Sequence, residues 1–236
     1  MKIILFGYGK MGKAIEKIAL NRQHEIILKI DSGNKENISI ADLQKADAVI
    51  EFTSPESAFE NISKVLQAGV PLVSGTTGWN KQFEEAEQIA IHNNTSFIHA
   101  SNFSIGVNLF FEINKLTAQI MNKHSEYAVN VEETHHTQKL DAPSGTAITI
   151  AEQILENYNN LKGWSLHPKN NELGITAHRI DNIPGTHNVK YSSAIDDIEI
   201  IHTAHSREGF ALGAVIAAEY IHNKKGIFTM RDVLFS

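Results

Sequence analysis

The chain has 236 residues, 42% hydrophobic and 20% charged, with five prolines, which describes a soluble globular protein long enough for one large domain or two small ones. A net charge of −6 argues against a nucleic-acid-binding surface, because affinity for phosphate backbones rests on clustered Lys and Arg. The absence of cysteine excludes disulfides, thiolate metal sites and a cysteine nucleophile.

From Lys2 to about Asn102, short apolar runs alternate with helical patterns. "KIILF", "EIILKI", "ADAVIEF", "VPLVSG" and "SFIHAS" read as strands, mostly unbroken Val, Ile and Leu as in strands buried on both faces. Between them lie a helix ending near Asn21 and a helix opened by Ser54 and Pro55 and closed by Gly69. "NKQFEEAEQIAIHNN" supplies a third. This alternation predicts a Rossmann-type, doubly wound parallel sheet. After Asn102 come a long helix, "GVNLFFEINKLTAQIMNK", a strand, "YAVNVEET", and a helix from Gly145 to about Tyr158. A Gly, Asn and Pro-bearing region follows from Asn159 to Gly185, then a hairpin turning at Asp196 and Asp197. The last segment, "FALGAVIAAEYIHNKKGIFTMRDVL", reads as helical.

The expected fold is therefore α/β, with a dinucleotide-type domain at 1–104 to which 210–236 returns. An α+β domain with a mixed sheet occupies 105–209. The apolar run after Met1 is too short for a signal peptide and no segment reaches the roughly 20 residues that span a bilayer, which points to the cytoplasm.

Gly7, Gly9 and Gly12 form G-x-G-x-x-G directly after the first strand and at the start of the first helix. Glycine there permits a tight turn, close approach of a pyrophosphate, and close helix-to-strand contact. Asp31, ending the second strand, suits the adenine ribose hydroxyls and leans the site toward NADH, while Lys10 and Lys35 partly offset its repulsion of a 2′-phosphate. "SGTTG", from Ser74, and "ASNFS", from Ala100, are small-residue turns at the carboxyl edge of the sheet.

The densest chemistry lies in "ETHHTQKLDAPSGTA", Glu133 to Ala147. His135 can give or take a proton near neutral pH, and Lys139 is either a fixed cation or a proton donor. Both suit reduction of a C=N or C=C bond. Pro143 to Thr146 precede a helix whose free N–H groups fit a carboxylate or phosphate. A zinc site is disfavoured: His135 and His136 are adjacent, and His202 and His205 three apart, so on strands each pair divides between opposite faces. No metal is expected.

These blocks, with "VIEFTSPES", "SGTTGW", "HTAHSREGFALGAVIAA" and "GIFTMRDVL", resemble the 4-hydroxy-tetrahydrodipicolinate reductase (dihydrodipicolinate reductase) family over essentially the whole chain, in the family's order. The resemblance implies NADH- or NADPH-dependent reduction of 4-hydroxy-tetrahydrodipicolinate to tetrahydrodipicolinate in lysine and diaminopimelate biosynthesis, by a homotetramer acting on a small dicarboxylate. It implies His135 and Lys139 as the catalytic pair, and His136, Ser144, Gly145 and Thr146 as substrate contacts. The implied cofactor contacts are Gly7, Gly9, Lys10, Met11, Gly12, Asp31, Gly75, Thr76, Thr77, Ser101, Asn102, Phe103 and Ser104. Ser32 stands where some relatives carry an arginine for the 2′-phosphate, and the segment from Asp31 to Asp47 is short. Taken alone, the residues also fit another nicotinamide-dependent imine or aldehyde reductase, or an NADH-sensing protein without catalysis.

Overall fold

The computed structural model of the chain describes residues 1–206 and 208–236. It divides into two compact units, residues 1–105 with 208–236, and residues 106–207.

In the first unit β1 (Lys2–Phe6) leads to α1 (Lys10–Asn21), β2 (Glu25–Ile30) and, past a 3₁₀ turn, the short α2 (Ile40–Leu43). Then follow β3 (Ala48–Glu51), α3 (Pro55–Gln67), β4 (Leu72–Ser74), α4 (Phe83–His92) and β5 (Ser96–His99). The second unit carries α5 (Ile105–Met121), β6 (Ala128–His135), α6 (Gly145–Leu155), β7 (Trp164–Ser165), β8 (Leu173–Arg179), β9 (Gly185–Ser192) and β10 (Asp197–Ala204). The chain then rejoins the first unit through α7 (Glu208–Ile221), β11 (Gly226–Phe228) and α8 (Met230–Phe235).

The first sheet runs β11-β5-β4-β3-β1-β2 with every pair parallel. Successive residues of β1 serve opposite faces, as a strand's period of two requires. Ile3 and Leu5 pack with Ile15 of α1 and Ala214 and Ala218 of α7, while Ile4 and Phe6 pack with Ile62 and Val65 of α3 and Ala86 of α4. Each of these side chains is at most 3% exposed, and burial of an Ile or Leu stabilises by about 1.5–3 kcal/mol. Covering both faces is what makes the runs continuously apolar. A Cβ on Gly213 of α7 would lie 1.7 Å from the Phe103 carbonyl oxygen, so this helix seats against the turn that follows β5 only because it carries glycine.

The second sheet runs β10-β9-β6-β8-β7 and is mixed: β9 is antiparallel to β6 and β10, while β8 is parallel to β6 and β7. Val131, Ile175, Val189 and Tyr191 bury one face beneath Ile150 and Ile154 of α6 and Phe110 and Ala118 of α5. Asn114 is fully buried and ties α5 to α6, donating to the Ile150 carbonyl at 3.1 Å and to Gln153 Oε1 at 2.9 Å. The far side of α5 exposes Leu109, Ile113, Leu116 and Ile120, a helical-period stripe of apolar residues. Among the described residues no helix is long and apolar enough to cross a membrane.

One sequence expectation changes, and one unassigned region gains structure. The C-terminal segment is not helical throughout: "GIF" forms β11, whose hydrogen-bonding edge is completed by β5. The region 159–185, which the sequence left unassigned, holds β7 and β8, and β8 lies against the central strand β6.

Candidate functional site

The glycine turn joins β1 to α1 at the carboxyl edge of the first sheet. Gly7 has φ +102°, and a Cβ there would fall 1.9 Å from the Phe52 carbonyl oxygen, so only glycine fits. A Cβ on Gly12 would lie 2.3 Å from the Gly7 carbonyl oxygen, which makes Gly12 the close helix-to-turn contact. Gly9 differs: its φ is −81°, and a Cβ would meet nothing within 4 Å. The fold itself therefore has no need of glycine at position 9, whereas a ligand approaching the backbone at the start of α1 does. A cavity of about 600 Å³ opens beside it, lined by Gly7, Tyr8, Gly9, Asp31, Ser32 and Lys35 on one side and by Phe52, Thr53 and Asn61 on the other. A bound dinucleotide fits this setting, since backbone N–H groups suit its phosphates and Asp31 its ribose. Asp31 is exposed, and its Oδ1 accepts from the Gly33 N–H at 2.8 Å.

Other expected contacts sit differently. Lys10 is exposed at the start of α1, while Met11 packs on the core. Gly75 lies beneath the Phe52 ring, with 2.1 Å from its Cβ position to the ring, and Thr77 is exposed. Thr76 is buried and faces Glu51 rather than solvent. Ser101 is exposed, Asn102 Oδ1 accepts from the Ser104 N–H at 2.9 Å, and Phe103 is a core residue, its ring 6.0 Å from that of Phe52.

Glu51, which sequence reasoning did not single out, ends β3 with no exposure at all. Its carboxyl gathers the Thr53 N–H at 2.9 Å, the Thr53 hydroxyl, the Ser74 hydroxyl at 2.7 Å and the Thr76 hydroxyl at 2.7 Å. One side chain thus ties together the turns after β3 and β4, and Thr53 lines the cavity. Burial pushes the Glu51 carboxyl above the usual range, against the lowering by these donors, none of which is a cation.

In the second unit the conspicuous stretch begins on β6, the strand flanked by both β8 and β9. Glu133 and His135 are two apart and so share the covered face, with 0% and 8% exposure. Register sets Glu133 opposite His187 on β9 and His135 opposite Arg179 on β8. Glu133 Oε1 accepts from the Ser144 N–H at 3.0 Å and from Arg179 Nη2 at 3.1 Å. Its Oε2 lies 3.3 Å from His135 Nδ1 and 3.9 Å from His187 Nε2. Oε2 and Nδ1 are sealed from solvent without an aligned hydrogen bond, and leaving such groups unpaired costs about 1–3 kcal/mol each. Each is the other's near partner.

The charges follow from this packing. Burial works against a charged Glu133, yet His135, Ser144 and the neighbouring charge hold its carboxyl down at about 2. Burial, with His135 alongside, lowers His187 to about 3, so its ring is neutral at physiological pH. Glu133, His135 and His187 bring ligand-capable atoms within 4.8 Å of one another. The donors that converge come from β6 and β9, not from the adjacent pair His135 and His136 on which the sequence argument against zinc was built. Arg179 already supplies positive charge to this carboxylate.

Past His135 the chain loops out. Lys139 Nζ pairs with Asp141 Oδ2 at 2.8 Å. Burial opposes the charged form of Asp141, and the Lys139 ammonium overcomes it, leaving that carboxyl below its ordinary value. Arg179 holds this loop by its backbone, donating from Nε to the Lys139 carbonyl at 3.2 Å and from Nη2 to the Asp141 carbonyl at 2.5 Å. His136 lines a recess of about 290 Å³ with Thr137, Gln138, Asp181, Asn182 and Pro184. Ser144 is 2% exposed and its Oγ caps α6, accepting from the Ala147 N–H at 3.2 Å. With its N–H on Glu133 as well, Ser144 faces inward. The outward part of the turn is Gly145, which is exposed and where a Cβ would meet nothing within 4 Å, followed by the half-buried Thr146.

Two family models cover nearly the entire chain: "Dihydrodipicolinate reductase, N-terminus" matches residues 1–103 and "Dihydrodipicolinate reductase, C-terminus" matches residues 106–234. The chain belongs to the dihydrodipicolinate reductase family. It is 52% identical to the 4-hydroxy-tetrahydrodipicolinate reductase of Christiangramia forsetii over 99% of this chain and 98% of that one. It is 43% identical to that of Methanococcoides burtonii over 81% and 74% of the two chains. Among solved structures, a dihydrodipicolinate reductase from a Paenisporosarcina species shares the fold with a TM-score of 0.80 at 23% identity, over 97% of each chain.

Within this family member, sequence reading missed Glu51, Glu133, Arg179 and His187 as members of a site. Glu133 lay in plain view inside the signature stretch. What was lacking was its partners, which β8 and β9 bring from far along the chain.

Proposed function

We propose that the protein reduces 4-hydroxy-tetrahydrodipicolinate to tetrahydrodipicolinate with NADH or NADPH, as a cytoplasmic enzyme of lysine and diaminopimelate synthesis. The observation that carries this reading is the Glu133 to Thr146 segment: a buried histidine, a lysine and an open helix start, held on one scaffold in a chain of this family. The Christiangramia and Methanococcoides relatives carry that enzyme's name, and the Paenisporosarcina structure has dipicolinate bound.

A bound nicotinamide dinucleotide supplies the hydride, and the first unit holds it by Gly7 to Gly12, Asp31 and the turns at Gly75 to Thr77 and Ser101 to Ser104. Asp31 with Ser32 beside it favours an unphosphorylated adenine ribose, so NADH is the better substrate, and Lys35 in the same cavity keeps NADPH usable. In the second unit the amides at Gly145 and Thr146 take one carboxylate of the substrate at the positive end of α6. His136 contacts the ring or its second carboxylate. His135 and Lys139 provide the proton and offset developing charge, Lys139 exchanging its Asp141 partner for the dianion. Ser144 contributes by capping α6 and not by touching substrate. The apolar stripe on α5 supports a homotetramer, because a stripe of four large side chains, each more than 40% exposed, is a surface that association would cover.

The test is a coupled assay offering freshly generated substrate with NADH and NADPH in parallel. Consumption of both, faster with NADH, is the expected result. Binding of NADH, seen as a raised melting temperature, without its consumption would replace this reading by a sensing role.

A further inference from the structure

We propose that Glu133 and Arg179 are positioning residues for the proton-transfer pair: Glu133 fixes the tautomer and plane of His135, and Arg179 fixes the backbone that carries Lys139. This rests on the function proposed above and names parts of its machinery that neither the signature motif nor the family match assigns.

The geometry is specific. A neutral imidazole has one N–H and one lone pair, and the hydrogen bond made at one nitrogen decides which is left at the other. Glu133 Oε2 is 3.3 Å from His135 Nδ1, and a carboxylate only accepts, so this neighbour favours the tautomer with the hydrogen on Nδ1. Nε2, which lies on the Gly185 side of the ring, is then the nitrogen that exchanges protons with a ligand. In the protonated ring the Nε2–H bond breaks, its proton passes to the substrate atom next to the hydride acceptor, and the imidazole left behind is the Nδ1–H form that Glu133 favours. Solvent then returns the proton. A carboxylate that accepts from one nitrogen while the other works is a general device for orienting a catalytic imidazole.

Glu133 is itself held, by the Ser144 N–H at 3.0 Å and Arg179 Nη2 at 3.1 Å on Oε1, which turns Oε2 toward the ring. The same guanidinium grips the Lys139 and Asp141 carbonyls. His135, the Lys139 loop and the first residue of the carboxylate turn therefore hang on one ion pair, buried on the Glu133 side and partly exposed at Arg179. His187 also faces Glu133 Oε2, at 3.9 Å, and being buried and neutral it closes the apolar side without competing for the charge.

The test has two arms. In the wild-type holoenzyme at alkaline pH, nitrogen-15 spectra of the histidine rings, with the His135 signal identified by its loss in His135→Asn, should show the Nδ1–H tautomer. The Nε2–H tautomer there overturns the proposal even if every variant misfolds. In Glu133→Gln the tautomer should become mixed, kcat should fall between tenfold and a thousandfold, and KM for NADH should stay within about twofold. An unchanged tautomer with kcat within twofold of wild type also overturns it. A wild-type protein that turns over no substrate refutes the function and leaves the tautomer result to stand or fall alone.

Discussion

Glu51 and Glu133 are both fully buried carboxyls at or near the carboxyl end of a central strand, yet their surroundings differ in kind. Glu51 meets hydroxyls and one amide, and burial raises its pKa; burial opposes the charge on Glu133 too, but His135 and Ser144 hold its pKa at about 2, and Arg179 Nη2 pairs with it at 3.1 Å. The first is a knot that holds the turns after β3 and β4 in place and has no use for charge. The second keeps its charge and sets it 3.3 Å from the His135 ring, the proposed proton carrier. Identical side chains thus divide between scaffold and electrostatic roles according to whether a cation accompanies them.

The largest effect that would sharpen this division is on chemistry in the second unit. On the proposed role of Lys139 in proton transfer, Lys139→Ala should lower turnover by roughly 10² to 10⁴ while leaving the NADH dissociation constant unchanged, because the lysine lies outside the glycine turn. Near-normal turnover, measured by loss of NADH absorbance, removes it from the mechanism.

Next in size is stability. Glu133→Gln strips the counter-charge from Arg179, whose side chain is one-fifth exposed, and should cost about 2–3 kcal/mol after allowing for that solvent access. Glu51→Gln, an isosteric change among neutral donors, should stay within about 1 kcal/mol of wild type at pH 7. The signs with pH are opposite. A raised pKa favours folding at low pH and is lost as pH rises through it, so Glu51 opposes acid unfolding. A depressed pKa favours folding above the unfolded value of about 4.3 and is lost as pH falls toward 2, so Glu133 promotes it. Urea melts of the two variants at several pH values would break the contrast if both behaved alike.

Smaller again is a comparison inside one motif. Gly9→Ala should fold normally, since its Cβ has room, and should weaken NADH binding roughly tenfold, about 1.4 kcal/mol. Gly12→Ala should lose stability instead, because its Cβ would press on the Gly7 carbonyl. Titration of NADH followed by fluorescence, alongside thermal melts, distinguishes the two.

How much was legible in the sequence follows the same line between local and distant causes. Strands β1 to β5, the helices between them and the glycine turn are written in runs of neighbouring residues, so periodicity and caps reveal them. Strand β11 is three residues long and owes its form to β5, and β8 sits in a segment broken by Gly, Asn and Pro that only β6 organises. His135 and Lys139 stand out as residue types, but Ser144 looks like a ligand contact until Glu133 is seen to take its N–H. Thr76 and Phe103 likewise lie in turns that face a cleft while their own side chains point into the protein. A motif shows which backbone reaches a ligand more readily than which side chains do.

The smallest predicted effect concerns His187, which faces Glu133, His135 and the Ser144 hydroxyl, with His202 and Lys139 adding charge from farther off. Its folded pKa of about 3 lies below the unfolded value of about 6.5, so between those pH values the unfolded chain binds the extra proton. Stability from this residue is fully present above pH 6.5 and is lost as pH falls, by about 1 kcal/mol between pH 6.5 and 5.5. His187→Gln should flatten that part of the curve without moving the steeper loss below pH 4, which belongs to Glu133. If the variant's stability falls between pH 6.5 and 5.5 as steeply as the wild type's, burial does not hold His187 neutral in the folded protein.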